Sequence, residues 1–194
     1  MKPKLLIEVR FHGRGGQGVV IASLLLAKAA FREGKYVQAI PFFGAERRGA
    51  PVVAYTRISS ETIYRRSGIK KPDIIVVLDP ALSRTPEVFL GIKEGGLALL
   101  NANAVPKLDV IKSTSLKLAL IDATSIAHKL GLVTAGIPIT NTVILGALSK
   151  ASQIVNIDSV IAAIAETWSG ELAEKNIRAA QMGFESVKEV SVYG

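Results

Sequence analysis

Cysteine is absent from all 194 residues, which removes disulfides, thiolate nucleophiles, zinc–thiolate sites and cysteine-ligated iron–sulfur clusters together. Any redox centre that serves this chain therefore belongs elsewhere. Histidine is nearly as scarce: His12 and His128 are the only two, far apart in sequence, so a metal site would have to rest on carboxylates, and none stand paired at ligand spacing. Long apolar runs are also lacking. The longest, residues 19–27, falls short of the roughly 18–20 residues a membrane span requires, and the N-terminal apolar run is broken by Glu8 and Arg10, unlike an export signal. The expectation is a cytoplasmic chain with no membrane segment.

Acidic residues are under-represented, 16 against 24 Lys and Arg, leaving a formal net charge of +8 and suggesting an acidic or phosphate-bearing partner. The excess is concentrated between residues 47 and 71, where Arg47, Arg48, Arg57, Arg65, Arg66, Lys70 and Lys71 are opposed only by Glu61. The plain reading of most of these is a solvated face. No helix-turn-helix, zinc-finger or aromatic-rich RNA-binding pattern accompanies them, so nucleic acid is not an expected partner.

What is present centres on Gly13-Arg14-Gly15-Gly16-Gln17-Gly18, which follows His12 and stands between an apolar run and a long apolar segment. It reads as strand, tight turn, helix. Gly13, Gly15 and Gly18 have the G-x-G-x-x-G spacing, in which glycine permits the turn, a close backbone approach and close helix–strand packing. Unpaired N–H groups at such a helix start favour a phosphate or carboxylate. The competing reading is a packing turn with no ligand.

Periodicity places strands at residues 5–11, 36–40, 52–58, 74–78, 97–100 and 116–121. The third is expected to be antiparallel or at an edge, because no crossover helix precedes it. Helices are expected at 17–32, ended by Gly34; from Thr85-Pro86-Glu87 to Gly95-Gly96; and at 122–130, 140–151, 156–168 and 170–189, with Trp168 and Phe184 as core. Alternation of strand and helix over two thirds of the length implies a three-layer α/β/α sandwich with a mostly parallel, Rossmann-like sheet and a helical C-terminal third, as one domain over 1–194. His12, Pro41, Asp79 and Asp122 fall near strand C-terminal ends, where ligands gather in such sheets. Asp79 and Asp122 read most simply as caps, while His12 stays open. The first helix is apolar almost all round and must be covered on both sides, by the sheet and by a second helix or chain. Phe42-Phe43 in a glycine-proline loop is a further candidate contact.

A dinucleotide-binding domain should carry an acid about 20 residues beyond the glycine turn, to hold ribose. Residues 37–41 read Val-Gln-Ala-Ile-Pro. That weakens a stand-alone NAD or flavin oxidoreductase and leaves phosphate binding intact; a purely structural binding subunit is the other alternative.

Several blocks together resemble a known family: residues 11–18, Gly44-Ala45-Glu46-Arg47-Arg48-Gly49-Ala50-Pro51, Asn141-Thr142 with Leu145-Gly146-Ala147, and Asn176 with Ala179 and Gly183-Phe184. The chain resembles the gamma subunits of 2-oxoacid:ferredoxin oxidoreductases of the pyruvate synthase type, over almost its full length. The resemblance implies a subunit, inactive alone, of an assembly that oxidatively decarboxylates a 2-oxoacid with coenzyme A to acyl-CoA and CO2 while reducing ferredoxin. It further implies alpha, beta and ferredoxin-like delta companions that carry thiamine diphosphate and iron–sulfur clusters. The second block favours pyruvate over 2-oxoglutarate. Candidate coenzyme A contacts are Gly13, Arg14, Gly15, Gly16, Gln17 and Gly18 through the turn, and the guanidinium pair Arg47 and Arg48. No catalytic or metal-binding residue is expected in this chain.

Overall fold

Val9 and Phe11 alternate with Glu8, Arg10 and His12 along the first strand, so one face of it meets an apolar layer and the other a polar one. This strand, β1 (Leu6–Arg14), is an interior strand of the main sheet. The computed structural model describes residues 6–41, 49–107 and 115–191; Phe42, Phe43, Glu46, Arg47 and Arg48 lie outside them. Helix α1 (Val19–Arg32) follows the turn. Gly18 sits before it at φ 82, and Gly34 at φ 76 ends it with its N–H donated to the Phe31 carbonyl at 2.9 Å, the left-handed stop for which glycine suits best.

Next come β2 (Tyr36–Pro41), β3 (Pro51–Ser59), β4 (Ile74–Val77), β5 (Leu97–Asn101) and β6 (Lys117–Ile121). They are followed by α2 (Ala123–Lys129), a small hairpin of β7 (Val133–Thr134) and β8 (Ile137–Pro138), α3 (Asn141–Ser152), α4 (Ile157–Ala165), α5 (Gly170–Ser186) and β9 (Lys188–Ser191). The large sheet has the order β2-β3-β1-β4-β5-β6-β9. Strands β1, β4, β5 and β6 pair in parallel, while β3 is antiparallel to both β1 and β2, and β9 to β6. Five of the seven strands (β1, β2, β4, β5 and β6) thus point one way. The expected mostly parallel α/β layering is observed.

One face of the sheet is covered by the helices, in a single apolar core that runs from Val9 and Phe11 through Leu26, Ile144 and Leu148 to Ile164. The other face carries a smaller cluster around Ile75, Val77, Phe89 and Leu118, under 3-10 turns and coil. Here the expected helix over 85–95 is replaced by a 3-10 turn, Pro86–Phe89. Leu90 is already extended (ψ 128) and Gly91 follows at φ 77, where a Cβ would overlap the Lys70 carbonyl oxygen, so the helical backbone ends there.

The expected antiparallel third strand is observed: β3 lies between β1 and β2, which run the same way and finish at the same end of the sheet. Two other differences have local causes. Ala135 (φ 46) and Gly136 (φ 80) make a two-residue turn that closes the unexpected β7–β8 hairpin, as positive φ at both central positions favours. Helix α5 stops at Ser186, short of residue 189, because Val187 is extended and Val190 pairs opposite Leu118. Phe184 is half-buried outside the main core, with the Lys150 ammonium 4.9 Å from its ring centroid, a cation–π contact. No helix among the described residues is long and apolar enough to cross a membrane.

Candidate functional site

After β1 the chain turns towards β2, and after β4 it turns the other way, towards β5. The loops that follow these two neighbouring parallel strands therefore diverge, and the crevice between them is where open α/β sheets receive ligands. Two side chains stitch it. Gln17, buried, donates from Nε2 to Asp79 Oδ2 at 2.8 Å, while its Oε1 accepts the Arg14 N–H at 2.8 Å. Asp79 also accepts the N–H groups of Ala81 and Leu82 at 3.0 and 3.2 Å, and its Oδ1 lies 3.4 Å from Arg14 Nε. One carboxylate thus caps its own turn and fixes the glycine turn of another strand.

The glycines divide by role. Gly13 is a packing position: a Cβ there would stand 2.5 Å from the Val19 side chain and 3.2 Å from Leu78. The Gly15 N–H donates to the Ala50 carbonyl at 2.9 Å, and the Gln17 N–H to the Arg14 carbonyl at 3.1 Å, so neither is available to a ligand. Gly18 (φ 82) lets Asn141 close over the start of α1, where a Cβ would stand 2.5 Å from Asn141 Nδ2. Gly16 (φ 98) is exposed. The turn is held from outside, and what remains for an anion is the first turn of α1 beyond it. No side chain caps that helix and no acid lies in its first turn, so its N-terminal partial positive charge is uncompensated locally.

In front of it lies a cavity of about 320 Å³ bounded by Arg14, Gly16, Val20, Ile139, Asn141 and Trp168. Arg14 is half-exposed there, with Nη1 donating to the Gly49 carbonyl at 3.1 Å. Arg14 and Asn141 bring polar groups to the cavity, and Ile139 and Trp168 add apolar lining. This suits a ligand with an anionic end and an apolar or stacking part.

His12 lies on the other face of β1. Its Nε2 accepts from Arg10 Nε at 2.9 Å, and burial, then the Arg10 charge, pull its pKa down to about 3. It is a neutral acceptor across the physiological range and orients Arg10, whose Nη2 donates to the Val88 and Leu90 carbonyls at 2.9 and 2.7 Å. Within the basic stretch expected to be mostly solvated, Arg65, Arg66, Lys70 and Lys71 are exposed, whereas Arg57 is 1% exposed.

Of the sequence candidates, Arg14, Gly15, Gly16, Gln17 and Gly18 come together, Gly13 lies behind them, and Arg47 and Arg48 are outside the described residues. Asp122 caps α2 by accepting the Ser125 N–H at 2.9 Å, as expected. Missed were the Asp79–Gln17 latch, Asn141, and Trp168, which lines the cavity. The one signal available for Asp79 was its place at the end of a strand expected to be central.

The motif residues of the last third build the scaffold. Thr142 Oγ1 donates to Asn176 Oδ1 at 2.9 Å within the α3–α5 contact. Gly146 and Gly183 let those helices touch, since a Cβ on either would overlap the Ala180 or Val143 carbonyl oxygen.

Comparisons with known proteins place the chain as a whole in a family. The family model for pyruvate ferredoxin/flavodoxin oxidoreductase matches residues 8–186. A protein of Pyrococcus abyssi named pyruvate/ketoisovalerate oxidoreductases common subunit gamma is 54% identical over 185 residues, 94% of this chain and 98% of that one. The pyruvate synthase subunit PorC of Methanothermobacter marburgensis is 50% identical over 183 residues, again 94% and 98%. The crystal structure of a pyruvate oxidoreductase subunit PORC from Thermotoga maritima superposes with a TM-score of 0.78 at 36% identity, covering 95% of this chain and 98% of that one. With a family model spanning nearly its whole length and relatives at half identity end to end, the chain belongs to the pyruvate ferredoxin/flavodoxin oxidoreductase family.

Proposed function

We propose that this chain is the gamma subunit of a multisubunit oxidoreductase that oxidatively decarboxylates pyruvate, or a related 2-oxoacid, with coenzyme A to the acyl-CoA and CO2 while reducing ferredoxin. The whole chain acts as one domain of that assembly. The observation that carries this reading is end-to-end similarity to gamma-type subunits at 54% identity. By resemblance to the family, thiamine diphosphate and the iron–sulfur centres belong to the alpha, beta and ferredoxin-like delta companions and ferredoxin is the acceptor, a division with which the absence of cysteine here agrees. The assembly is cytoplasmic, with no nucleic-acid or membrane partner. The Pyrococcus abyssi relative is named as common to two oxidoreductases; by the same logic the companions here choose the 2-oxoacid.

This subunit contributes a seat for the phosphate end of coenzyme A. The α1 N-terminus with Arg14 at the cavity mouth supports that reading, since backbone N–H groups and a helix dipole favour a diphosphate. Arg47 and Arg48 follow β2, which ends at the same sheet edge as β1, and add two guanidinium groups for phosphate oxygens. A charge-assisted hydrogen bond is worth roughly 1.5–3 kcal/mol. In the assembled enzyme, Arg47→Ala and Arg48→Ala should therefore raise KM for coenzyme A about ten-fold or more and leave KM for pyruvate nearly unchanged. Equal changes in both constants, or in neither, would remove coenzyme A from this subunit.

A further inference from the structure

The inner side of α1 is buried against the sheet, but its outer side is not polar. Ile21, Leu24, Lys28 and Phe31 recur at helical spacing along it, and Ile21, Leu24 and Phe31 are 37%, 40% and 69% exposed. The stripe runs beside β2, the edge of the sheet, where Tyr36 is 51% exposed. Between helix and edge strand lies a groove of about 310 Å³ formed by Leu24, Leu25, Phe31 and Val37, with Thr167 at its side. Among the described residues β2 pairs with β3 alone, so its outer N–H and C=O groups stand ready for another chain. A contiguous apolar stripe beside an open strand edge is an uncommon surface for a chain that works unaccompanied.

Charge selects the occupant. At the C-terminal end of α1, Arg32 pairs with Glu166, and Lys35 with Glu33 at 2.7 Å. Lys28, inside the stripe, donates to the Thr167 hydroxyl at 2.9 Å and has no carboxylate within ion-pair distance among the described residues. Covering the stripe desolvates that ammonium, which is costly unless the covering surface brings an opposite charge. A second copy of this chain would bring a net charge of +8 against +8.

We infer that the outer stripe of α1 and the free edge of β2 form the docking face for a companion subunit of the oxidoreductase, with an apolar contact surface and a carboxylate placed opposite Lys28. The inference rests on the subunit reading above and is independent of where coenzyme A binds.

The test is capture of this chain by its tagged companion subunits. Leu24→Asp, Phe31→Asp and Lys28→Glu should each weaken capture about ten-fold or more, as loss of a central interface contact does, with the melting temperature of the isolated chain unchanged. Leu90→Asp, at a 62% exposed position away from this face, should be captured like the wild type. If Leu24→Asp melts early, Phe31→Ser decides, because most of that ring is already in solvent. Wild-type capture of the three variants overturns the inference. So does an isolated chain that sediments as a dimer and is made monomeric by Leu24→Asp, which would assign the face to a second copy. Failure of the wild-type chain to be captured at all would overturn the subunit reading itself.

Discussion

Arg57 and Glu8 show what one buried pair does in this fold. They lie on adjacent antiparallel strands, 2.9 Å apart from Nε to Oε1, with side chains 1% and 8% exposed. Arg57 also donates to the Gln38 amide oxygen at 2.9 Å and to the Ser67 carbonyl at 2.6 Å, so one guanidinium ties the coil after β3 to the polar face of the sheet. Removing one partner of a buried pair strands the other charge and costs about 3–5 kcal/mol. Arg57→Met should lower the denaturant midpoint accordingly, and Glu8→Met with Arg57→Met should recover only part, because the coil carbonyls stay unpaired. A midpoint within error of the wild type for Arg57→Met would show that solvent reaches Glu8. His12 adds a pH dependence whose sign is determined. Its folded pKa, about 3, is below the ordinary 6.5, so between those values the unfolded chain holds a proton that the folded chain does not. Stability then falls as pH drops from about 6.5 towards 3. His12→Gln keeps an acceptor for Arg10 and does not titrate, so its unfolding free energy should decline less steeply over that range; an unchanged slope would assign the acid loss to other groups.

At the scale of elements, the close approach of α3 and α5 is set by two glycines. A Cβ at Gly146 would overlap the Ala180 carbonyl oxygen, which belongs to the backbone of α5 and cannot swing aside. Overpacking costs about 1–3 kcal/mol and outweighs the gain of about 1 kcal/mol that alanine brings to a helix interior. Gly146→Ala should therefore lower the melting temperature, and a higher one would mean that the helices stand further apart. The consequence reaches the site, because α3 begins with Asn141, which closes over Gly18. The α3–α5 packing thus positions a wall of the cavity.

For the whole molecule, the prediction concerns what the chain does alone. A protein without cysteine has no ligands for the iron–sulfur centres through which the electrons pass. Purified by itself it should show no turnover with pyruvate, coenzyme A and an electron acceptor, and activity should appear when the companion subunits are added. Turnover by the isolated chain, measured as acceptor reduction, would sink the subunit reading.

Strand, glycine turn and helix around residues 13–18, the Gly34 stop and the α/β alternation were readable because each depends on local periodicity and on conformations that glycine alone adopts easily. So was the resemblance, which needs only residue order. Tertiary structure decided the rest. Asp79 looked like a simple cap, yet it latches Gln17 across 62 positions, and Arg57 sat in a stretch that looked mostly solvated until β3 settled between β1 and β2 and buried it against Glu8. The commitment of the Gly15 N–H to Ala50 and the pairing of β9 with β6 are likewise contacts between distant segments. The physical reason is one of range: hydrophobic spacing and turn chemistry act over a few residues, whereas a buried charge or an unpaired amide takes its partner from whichever segment the finished topology brings beside it.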